Sequence, residues 1–216
     1  MSMQEVKQQW NPLMEKTKYI LMGAGGHASV VASSIEAMEG ALLCVFDSDA
    51  SIASMDDIEN KGDYHPNEFP TAKLILAIGD NKTRKRLVPN IMHPFGTVIH
   101  PSAVVDRLVS IAEGSQVLHG AIINRRTSIG KHTIVNTKAS VDHDCTLGDF
   151  VHIAPGATIC GGVKIGECCL IGAGATVLPN IHIGNNVVVG AGAVVTSSLP
   201  DNTTCIGVPG KIIQHE

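Results

Sequence analysis

A branched aliphatic residue recurs at every sixth position through the second half of the chain. The series begins at Ile99, ends at Val195 and has seventeen members with no break in register. The position four residues after each member is nearly always small or β-branched, and glycine often follows the aliphatic residue directly. A period of six matches neither the 3.6-residue period of a helix nor the simple alternation of a strand.

This period is typical of a hexapeptide solenoid, in which each repeat forms a short strand and a corner. The aliphatic side chain points inward, a small residue packs beside it, and glycine is expected to ease the bend where left-handed torsions occur. Three repeats would close one triangular turn, and turns would stack at about 4.8 Å. The span predicts roughly five turns. A β-sandwich with coincidental spacing is the alternative.

The first third of the chain alternates apolar strands with helical segments. Residues 19–22 read as a strand, "ALLCVF" before Asp47 as a second, and "AKLILAIG" up to Gly79 as a third. A glycine-rich turn and a helix over about residues 28–38 separate the first two strands, and "DNKTRKRL" starts like a helix. This order predicts a small parallel sheet. The polar segment between the second and third strands is expected to be loop-rich.

The change of pattern divides the chain into an extension (1–17), a half-Rossmann domain (18–97) and a solenoid domain (98–216). Aromatic residues make up only 3% of the chain, which suits a narrow solenoid interior. The net charge of −4 without a basic block argues against nucleic-acid binding. We expect no membrane span and no signal peptide. The six cysteines lack metal-ligand spacing, so we expect free thiols, a cytoplasmic location and no metal.

Gly23, Gly25 and Gly26 form the turn between the first strand and its helix, and this turn fits the pattern G-x-G-x-x-A. Asp47 follows the second strand at about the distance of a ribose contact. A dehydrogenase is therefore one alternative, although the solenoid supplies no hydride-acceptor domain, and a plain tight turn is another. We favour a half-Rossmann unit that holds a phosphorylated ligand at the helix N-terminus, where free N–H groups attract anions.

Four motifs, "GAGGHASVV", "FDSD", "AIGDNKTR" and "HPSA", together with the repeat, resemble one group of proteins. Over about residues 18–213 the chain is similar to bacterial sugar acetyltransferases of the sialic-acid O-acetyltransferase and bacillosamine or perosamine N-acetyltransferase type. The resemblance implies a left-handed β-helix and a homotrimer with active sites between subunits. It also implies acetyl-CoA as donor and a nucleotide-linked sugar bound by the N-terminal domain. The chain departs from the family at Ser29, where many members have Lys or Arg.

Acetyl transfer requires a base with a pKa near neutrality, an N–H donor facing the thioester oxygen, and two substrates held in line. The resemblance assigns the base to His143 in "VDHDCTLG", at an outward corner of the repeat. Asp144 would assist this base, with Asp142 as its rival. The resemblance places His152 near the acetyl carbonyl, where it would help stabilise the thioester oxygen, and points the backbone N–H of Gly161 at that oxygen.

The resemblance also implies two binding sets. The acetyl-CoA set, besides His152 and Gly161, is Gly172, Ala173, Ala191, Pro209 and Lys211. The substrate set is Gly23, Gly25, Gly26, His27, Asp47, Ser48 and Asp80. The predicted reaction is N-acetylation of a nucleotide-linked 4-amino-4,6-dideoxy sugar made for surface glycans, without a covalent acyl-enzyme. O-acetylation of a sialic-acid-like sugar and a non-catalytic sugar-nucleotide-binding module are the alternatives, and the nucleotide base stays open.

Overall fold

The computed structural model describes residues 16–213, which form two packed units. The first unit is a parallel three-stranded sheet flanked by helices, with the strands in the order Ala41–Phe46, Lys18–Met22, Lys73–Leu76. Its strands are β1 (Lys18–Met22), β2 (Ala41–Phe46), β3 (Ser54–Met55), β4 (Ile58–Glu59) and β5 (Lys73–Leu76), and its helices are α1 (Gly26–Ala37), α2 (Asn81–Leu87) and a 3-10 turn (Val88–Asn90). The predicted small parallel sheet is confirmed.

The polar segment between β2 and β5 is loop-rich, as expected, and its only strands in the described chain are the short antiparallel pair β3–β4. The predicted extension over residues 1–17 falls almost wholly outside the described residues. None of the helices within residues 16–213 is long and apolar enough to cross a membrane.

The second unit is a parallel β-solenoid whose two-residue strands lie on three faces. Face 1 contains Val98–Ile99, Gln116–Val117, Ile134–Val135, His152–Ile153, Leu170–Ile171 and Val188–Val189, followed by Thr204–Ile206 and Lys211–Ile213. Face 2 contains Val104–Val105, Ile122–Ile123, Ser140–Val141, Thr158–Ile159, Thr176–Val177 and Val194–Val195. Face 3 contains Ser110–Ile111, Ser128–Ile129, Thr146–Leu147, Lys164–Ile165 and His182–Ile183. The predicted solenoid is confirmed.

The register of the solenoid follows the sequence repeat. Up to Val195, strands pair in parallel with the strand 18 residues later, as His152 does with Leu170. In the last turn the offset is 16 residues, as between Val188 and Thr204. The repeating aliphatic residues form one continuous core. Face 1 carries six two-residue strands, so the chain makes about six turns rather than roughly five. The difference arises because Thr204–Ile206 returns to face 1 and completes the last turn.

The glycines that directly follow the aliphatic residues serve a purpose other than the expected one. A Cβ on Gly148 would lie 2.8 Å from the backbone carbonyl carbon of Gly166 one turn away, so these glycines permit close approach of successive turns. The left-handed torsion falls two residues later, where His132 (φ 53°) and Phe150 (φ 59°) adopt it. The glycines directly after the aliphatic residues therefore do not ease the left-handed bend. The expectation holds at other solenoid glycines, which have φ between 65° and 75°: Gly114, Gly120, Gly156, Gly162, Gly174 and Gly192.

The N-terminal unit packs on face 1 and on the adjoining corner between faces 3 and 1. Gln116 is fully buried on face 1. It donates from Nε2 to the Leu76 carbonyl at 2.9 Å and accepts from His27 Nε2 at 2.8 Å. The Asn81 amide donates to the Cys169 carbonyl at 2.9 Å. These bonds place the carboxyl end of the sheet against face 1, on the side of the prism opposite the corner between faces 2 and 3.

His132 lies inside the junction between the two units. It is 2% exposed, it stacks on Phe150 and meets the edge of Phe95, and its Nδ1 has no hydrogen-bond partner. Burial lowers the pKa of His132 to about 4. The folded state therefore favours neutral His132 much more strongly than the unfolded chain does.

We predict that acid destabilises the protein through His132. The unfolded chain binds a proton below about pH 6.5 while the folded His132 stays neutral until about pH 4, so stability falls across this window by up to about 3 kcal/mol. His132→Asn, which tolerates the positive φ and does not titrate, should weaken the pH dependence of the urea midpoint between pH 7 and pH 4. An unchanged pH dependence would contradict this account.

Candidate active site

The corner between faces 2 and 3, which we call the 2–3 corner, carries His143. The neighbouring side chains of Val141 and Cys145 are 0% and 1% exposed and point into the core. The side chain of His143 is therefore directed outward, where it is 56% exposed. Strands stack at 18-residue intervals, so Arg125 lies one turn before His143 and Gly161 one turn after it in the same column.

Asp144 is the carboxylate that contacts the His143 ring. Its Oδ2 accepts a hydrogen bond from His143 Nδ1 at 2.7 Å. Because an ionised carboxylate only accepts, Nδ1 carries the proton in the neutral ring and Nε2 carries the lone pair, on a side chain that is 56% exposed. Asp142 instead accepts from the backbone N–H of His143 at 2.8 Å and from Asn124 at 2.9 Å. The two aspartates thus have different partners: Asp144 contacts the His143 ring, and Asp142 contacts the His143 backbone N–H.

Arg126 holds Asp144 in place from the preceding turn. Its Nε and Nη2 bind the two carboxylate oxygens at 2.6 Å and 2.9 Å, a bidentate pair. The Arg126 guanidinium, together with His143, holds the pKa of the Asp144 carboxyl well below its usual range. Asp144 therefore stays ionised throughout the pH range in which imidazole titrates.

Gly161 packs directly against the His143 ring. A Cβ at this position would lie 2.7 Å from His143 Nε2, so any larger residue would displace the imidazole. No hydrogen-bond acceptor contacts the backbone N–H of Gly161 within the described part of the chain. The predicted use of this N–H toward a thioester oxygen stays a prediction.

His152 lies on face 1, at the junction with the N-terminal unit. Its Nδ1 contacts the Gly79 carbonyl at 3.2 Å and its Nε2 contacts Asn136 Nδ2 at 3.0 Å. A carbonyl oxygen only accepts, so we assign the proton to Nδ1 and the lone pair to Nε2. Burial, followed by the charge of Arg84, lowers the pKa of His152 to about 4. In this arrangement the one N–H of neutral His152 is engaged by the Gly79 carbonyl, and the predicted role of His152 toward the thioester oxygen stays a prediction.

Asn136 is a polar residue of this region that sequence reasoning did not single out. Its Oδ1 accepts from the Thr137 backbone N–H at 2.7 Å, which fixes the amide nitrogen toward His152. The sequence contains only an indirect signal for Asn136, which is the first residue of the "NTKAS" stretch at the corner between faces 1 and 2. Asn136 lies one turn before Ala154, the residue that follows the His152 strand.

The glycine-rich turn leaves the N-terminus of α1 open. Gly25 caps the helix without a side-chain hydrogen bond, and no residue in the first turn is acidic. A Cβ on Gly25 or Gly26 would meet nothing within 4 Å, whereas Gly23 has φ +105° and lies close to the Ala77 carbonyl. The uncapped N-terminus of α1 is therefore unobstructed beside Gly25 and Gly26, which suits an anion.

Of the other predicted substrate residues, Asp47 and Asp80 accept hydrogen bonds from backbone N–H groups, and Ser48 is exposed. Asp47 accepts from the Ala24 N–H at 2.9 Å and so supports the glycine-rich turn. Asp47 and exposed Ser48 also line a shallow cavity of about 370 Å³. Asp80 is the N-cap of α2 and accepts from the Thr83 N–H at 2.7 Å. The structure thus gives Asp47 and Asp80 structural partners, and their contact with substrate stays a prediction.

The predicted catalytic residues fall into two groups within one chain. His152 lies on face 1, where its ring centroid is 6.2 Å from that of the predicted substrate residue His27 on α1. His143, Asp144 and Gly161 lie at the 2–3 corner, on the opposite side of the prism. The chain on its own therefore does not bring His143 and His152 into one site.

The predicted acetyl-CoA residues lie toward the C-terminal end of the solenoid. Gly172, Ala173 and Ala191 occupy the corner between faces 1 and 2, where both alanines are exposed. A Cβ on Gly172 would lie 2.5 Å from the Ala191 backbone nitrogen, so this corner is flat and free of large side chains. Pro209 precedes the last strand, and exposed Lys211 begins it. Among residues 16–213, no group of three or more His, Cys, Asp or Glu side chains is placed to hold a metal.

Comparisons with known proteins identify the family to which the chain belongs. The chain matches the family model described as the PglD N-terminal domain over residues 18–91, and that of the bacterial transferase hexapeptide (six repeats) over residues 162–197. Perosamine N-acetyltransferase from Caulobacter crescentus, solved as a mutant with CoA and GDP-perosamine, is 38% identical with a TM-score of 0.88, covering 92% of this chain and 97% of that one. Comparison with curated protein sequences gives no match.

Two further solved structures are similar along nearly their whole length. The acetyltransferase domain of PglB from Neisseria gonorrhoeae is 33% identical with a TM-score of 0.85, covering 92% of this chain and all of that one (100%). WeeI from Acinetobacter baumannii is 26% identical with a TM-score of 0.78, covering 91% and 100%. The chain belongs to the hexapeptide-repeat sugar acetyltransferases with a PglD-type N-terminal domain.

We predict that Asp144→Asn lowers kcat/KM for acetyl transfer by about ten- to a hundredfold, because an amide no longer fixes the Nδ1–H tautomer of His143. Asp142→Asn is the matched control, since its side-chain oxygen can still accept from the His143 backbone N–H. It should retain activity within about threefold of wild type. Equal losses in the two variants would contradict the assignment of Asp144 as the ring partner.

Proposed function

We propose that this chain transfers the acetyl group of acetyl-CoA to the amino group of a nucleotide-linked 4-amino-4,6-dideoxy sugar. The observation that carries the proposal is the Nε2 lone pair on the exposed side chain of His143, whose other ring nitrogen is held by ionised Asp144. This is the arrangement that a general base requires. The relative solved with CoA and GDP-perosamine supports both substrate classes. We place the reaction in the cytoplasm, in the synthesis of surface polysaccharide.

The active form is proposed to be a homotrimer with sites between subunits. In one chain the 2–3 corner faces away from the N-terminal unit, so His143 needs a second chain to approach a sugar nucleotide. Val104, Leu108 and Ile122 are 63%, 43% and 41% exposed on face 2 and at the 2–3 corner of the first turns. A neighbouring chain would bury this apolar surface. The 2–3 corner of one chain would then meet face 1 and the N-terminal unit of the next.

His143 would act directly on the attacking amine. Its Nε2 accepts the proton that the amine nitrogen loses while that nitrogen forms a bond to the thioester carbon. The Gly161 N–H would donate to the oxygen that becomes negative. The C–S bond then breaks, and the imidazolium returns the proton to the leaving thiolate. Acetyl-CoA supplies the activated acyl group, and no covalent acyl-enzyme forms.

The flat corner between faces 1 and 2 fits a thin, extended ligand such as pantetheine. Gly172, Ala173 and Ala191 offer backbone and methyl groups there without large side chains. Lys211 and Pro209, in the tail beyond this corner, are proposed to meet the nucleotide end of acetyl-CoA, where the ammonium contacts a phosphate as a point charge.

The N-terminal unit is proposed to hold the sugar nucleotide. The open N-terminus of α1 at Gly25 and Gly26 would bind the diphosphate, with His27, Asp47, Ser48 and Asp80 nearby. In this proposal, residues 18–97 bind the sugar nucleotide and residues 98–216 carry out acetyl transfer. His27 adds a ring nitrogen for the sugar, because its Nε2–H is already donated to Gln116 and its Nδ1 is left as an acceptor.

Release of the CoA thiol from acetyl-CoA tests the proposal directly. The acceptors would be UDP-, GDP- and dTDP-linked 4-amino sugars, with CMP-sialic acid and free sialic acid as hydroxyl acceptors. We expect turnover on one amino sugar and a loss of about a hundredfold or more in His143→Ala. Turnover on hydroxyl acceptors alone would make the chain an O-acetyltransferase. Ligand binding without turnover would favour a binding module, and full activity in His143→Ala would overturn the mechanism.

We predict that Gly26→Asp raises KM for the sugar nucleotide by about tenfold or more, because a carboxylate would occupy the N-terminus of α1 where the diphosphate binds. Gly26→Ala is the control. Its Cβ meets no neighbouring atom, so KM should stay within about threefold of wild type. Thermal melting should show both variants folded. If Gly26→Asp kept the wild-type KM, the diphosphate would bind elsewhere.

A further inference from the structure

Arg84 on α2 is fully buried where the two units meet. No carboxylate contacts its guanidinium within the described residues. It is surrounded instead by six oxygen acceptors, those of Ile78, Gly79, Asn81 Oδ1, His132, Phe150 and Val151. A buried charge normally requires compensation, and here it comes from carbonyl dipoles of both units. Burial lowers the pKa of Arg84 to about 10, so the guanidinium is charged at neutral pH.

One of these acceptors is shared with His152. The Gly79 carbonyl accepts from Arg84 Nη1 at 2.9 Å and from His152 Nδ1 at 3.2 Å. Arg84 thus fixes the oxygen that determines which His152 nitrogen carries the proton. The remaining lone pair, on Nε2, accepts from Asn136 Nδ2 at 3.0 Å. The chain of contacts therefore runs from Arg84 through the Gly79 carbonyl and His152 to Asn136.

We propose that Arg84 is a positioning residue for acetyl transfer, which fixes His152 as the neutral Nδ1–H tautomer and thereby aims the Asn136 amide at the acyl group. The amide nitrogen of Asn136 has a second hydrogen, which no acceptor within the described chain engages. That N–H replaces the donor role first expected of His152. The role of Arg84 and Asn136 in catalysis rests on the proposed acetyl transfer, whereas the assignment of the His152 tautomer does not.

The shape and charge of arginine explain why this residue holds the position. Its planar fork reaches carbonyls of the N-terminal unit and of the solenoid at once, which a lysine ammonium cannot do. The fixed positive charge also opposes a second proton on His152, because like charges at short range disfavour each other. His27 is the other titratable ring near His152; burial lowers the pKa of His27, and any charge on its ring would also oppose a second proton on His152.

The experiment measures the tautomer of His152 by nitrogen-15 NMR of histidine-labelled full-length protein, with the signal assigned by its loss in His152→Gln. Wild type should show a neutral Nδ1–H ring from pH 5.5 to pH 8. Arg84→Lys should give a mixture of tautomers and a loss of about tenfold or more in kcat. A wild-type ring in the Nε2–H tautomer, or doubly protonated at pH 7, would overturn the proposal.

Lys85→Gln is the matched control for docking of the two units. Lys85 also joins α2 to the solenoid, through a 2.7 Å ion pair with Glu167, but it has no link to His152. It should leave the His152 tautomer and kcat unchanged. Arg84 would have only a structural role if Arg84→Lys lowered kcat without changing the His152 tautomer. The same conclusion would follow if Lys85→Gln changed the tautomer and kcat as much as Arg84→Lys does.

Asn136→Asp tests the chain of contacts from its other end if Arg84→Lys does not fold. A carboxylate at residue 136 accepts rather than donates, so it should draw a proton to Nε2 of His152 and raise the pH at which the ring becomes doubly protonated. An unchanged titration would contradict the assigned contact. If these NMR shifts occurred but no acceptor was acetylated, the proposed function would fail while the positioning by Arg84 would stand.

Discussion

The six-residue register of aliphatic side chains in the solenoid is the constraint on which the rest of the structure depends. Burying each member fixes the direction of every other side chain in its repeat, and stacking at the strand spacing places residues 18 apart directly above one another. His143 points outward because Val141 and Cys145 must point inward. The same 18-residue spacing determines that Arg125 and Gly161 are its neighbours, so the arrangement of the 2–3 corner is a consequence of core packing.

The junction between the two units depends on a different interaction, the hydrogen bonds of the buried Arg84 guanidinium. Parallel faces and corners bury backbone carbonyls that need donors, and one guanidinium supplies them from the N-terminal unit. The same group lies next to His152 and, with burial, keeps its ring neutral. One buried charge thus contributes both to the docking of the two units and to the neutral state of His152 on face 1.

The periodic features of the chain were predictable from sequence, and the non-periodic ones were not. The repeat predicted the solenoid and the outward position of His143 because each six-residue unit carries its own signal. It did not distinguish Asp142 from Asp144, since both flank His143; only the left-handed turn at Asp144 (φ 59°) brings that carboxylate to the ring. The partners of Arg84 lie 48 to 67 positions away on the solenoid, and such contacts leave no local pattern.

The central claim is that one site takes His143 from one chain and the glycine-rich turn from another. The most direct measurement is acetyl transfer by hybrid trimers of His143→Ala and Gly26→Asp chains, co-expressed with different tags and purified through both. Each such trimer should contain one intact site, giving about a third of the wild-type rate at acceptor concentrations where either parent is nearly inactive. Hybrids no more active than the parents would show that each chain must supply both groups to its own site.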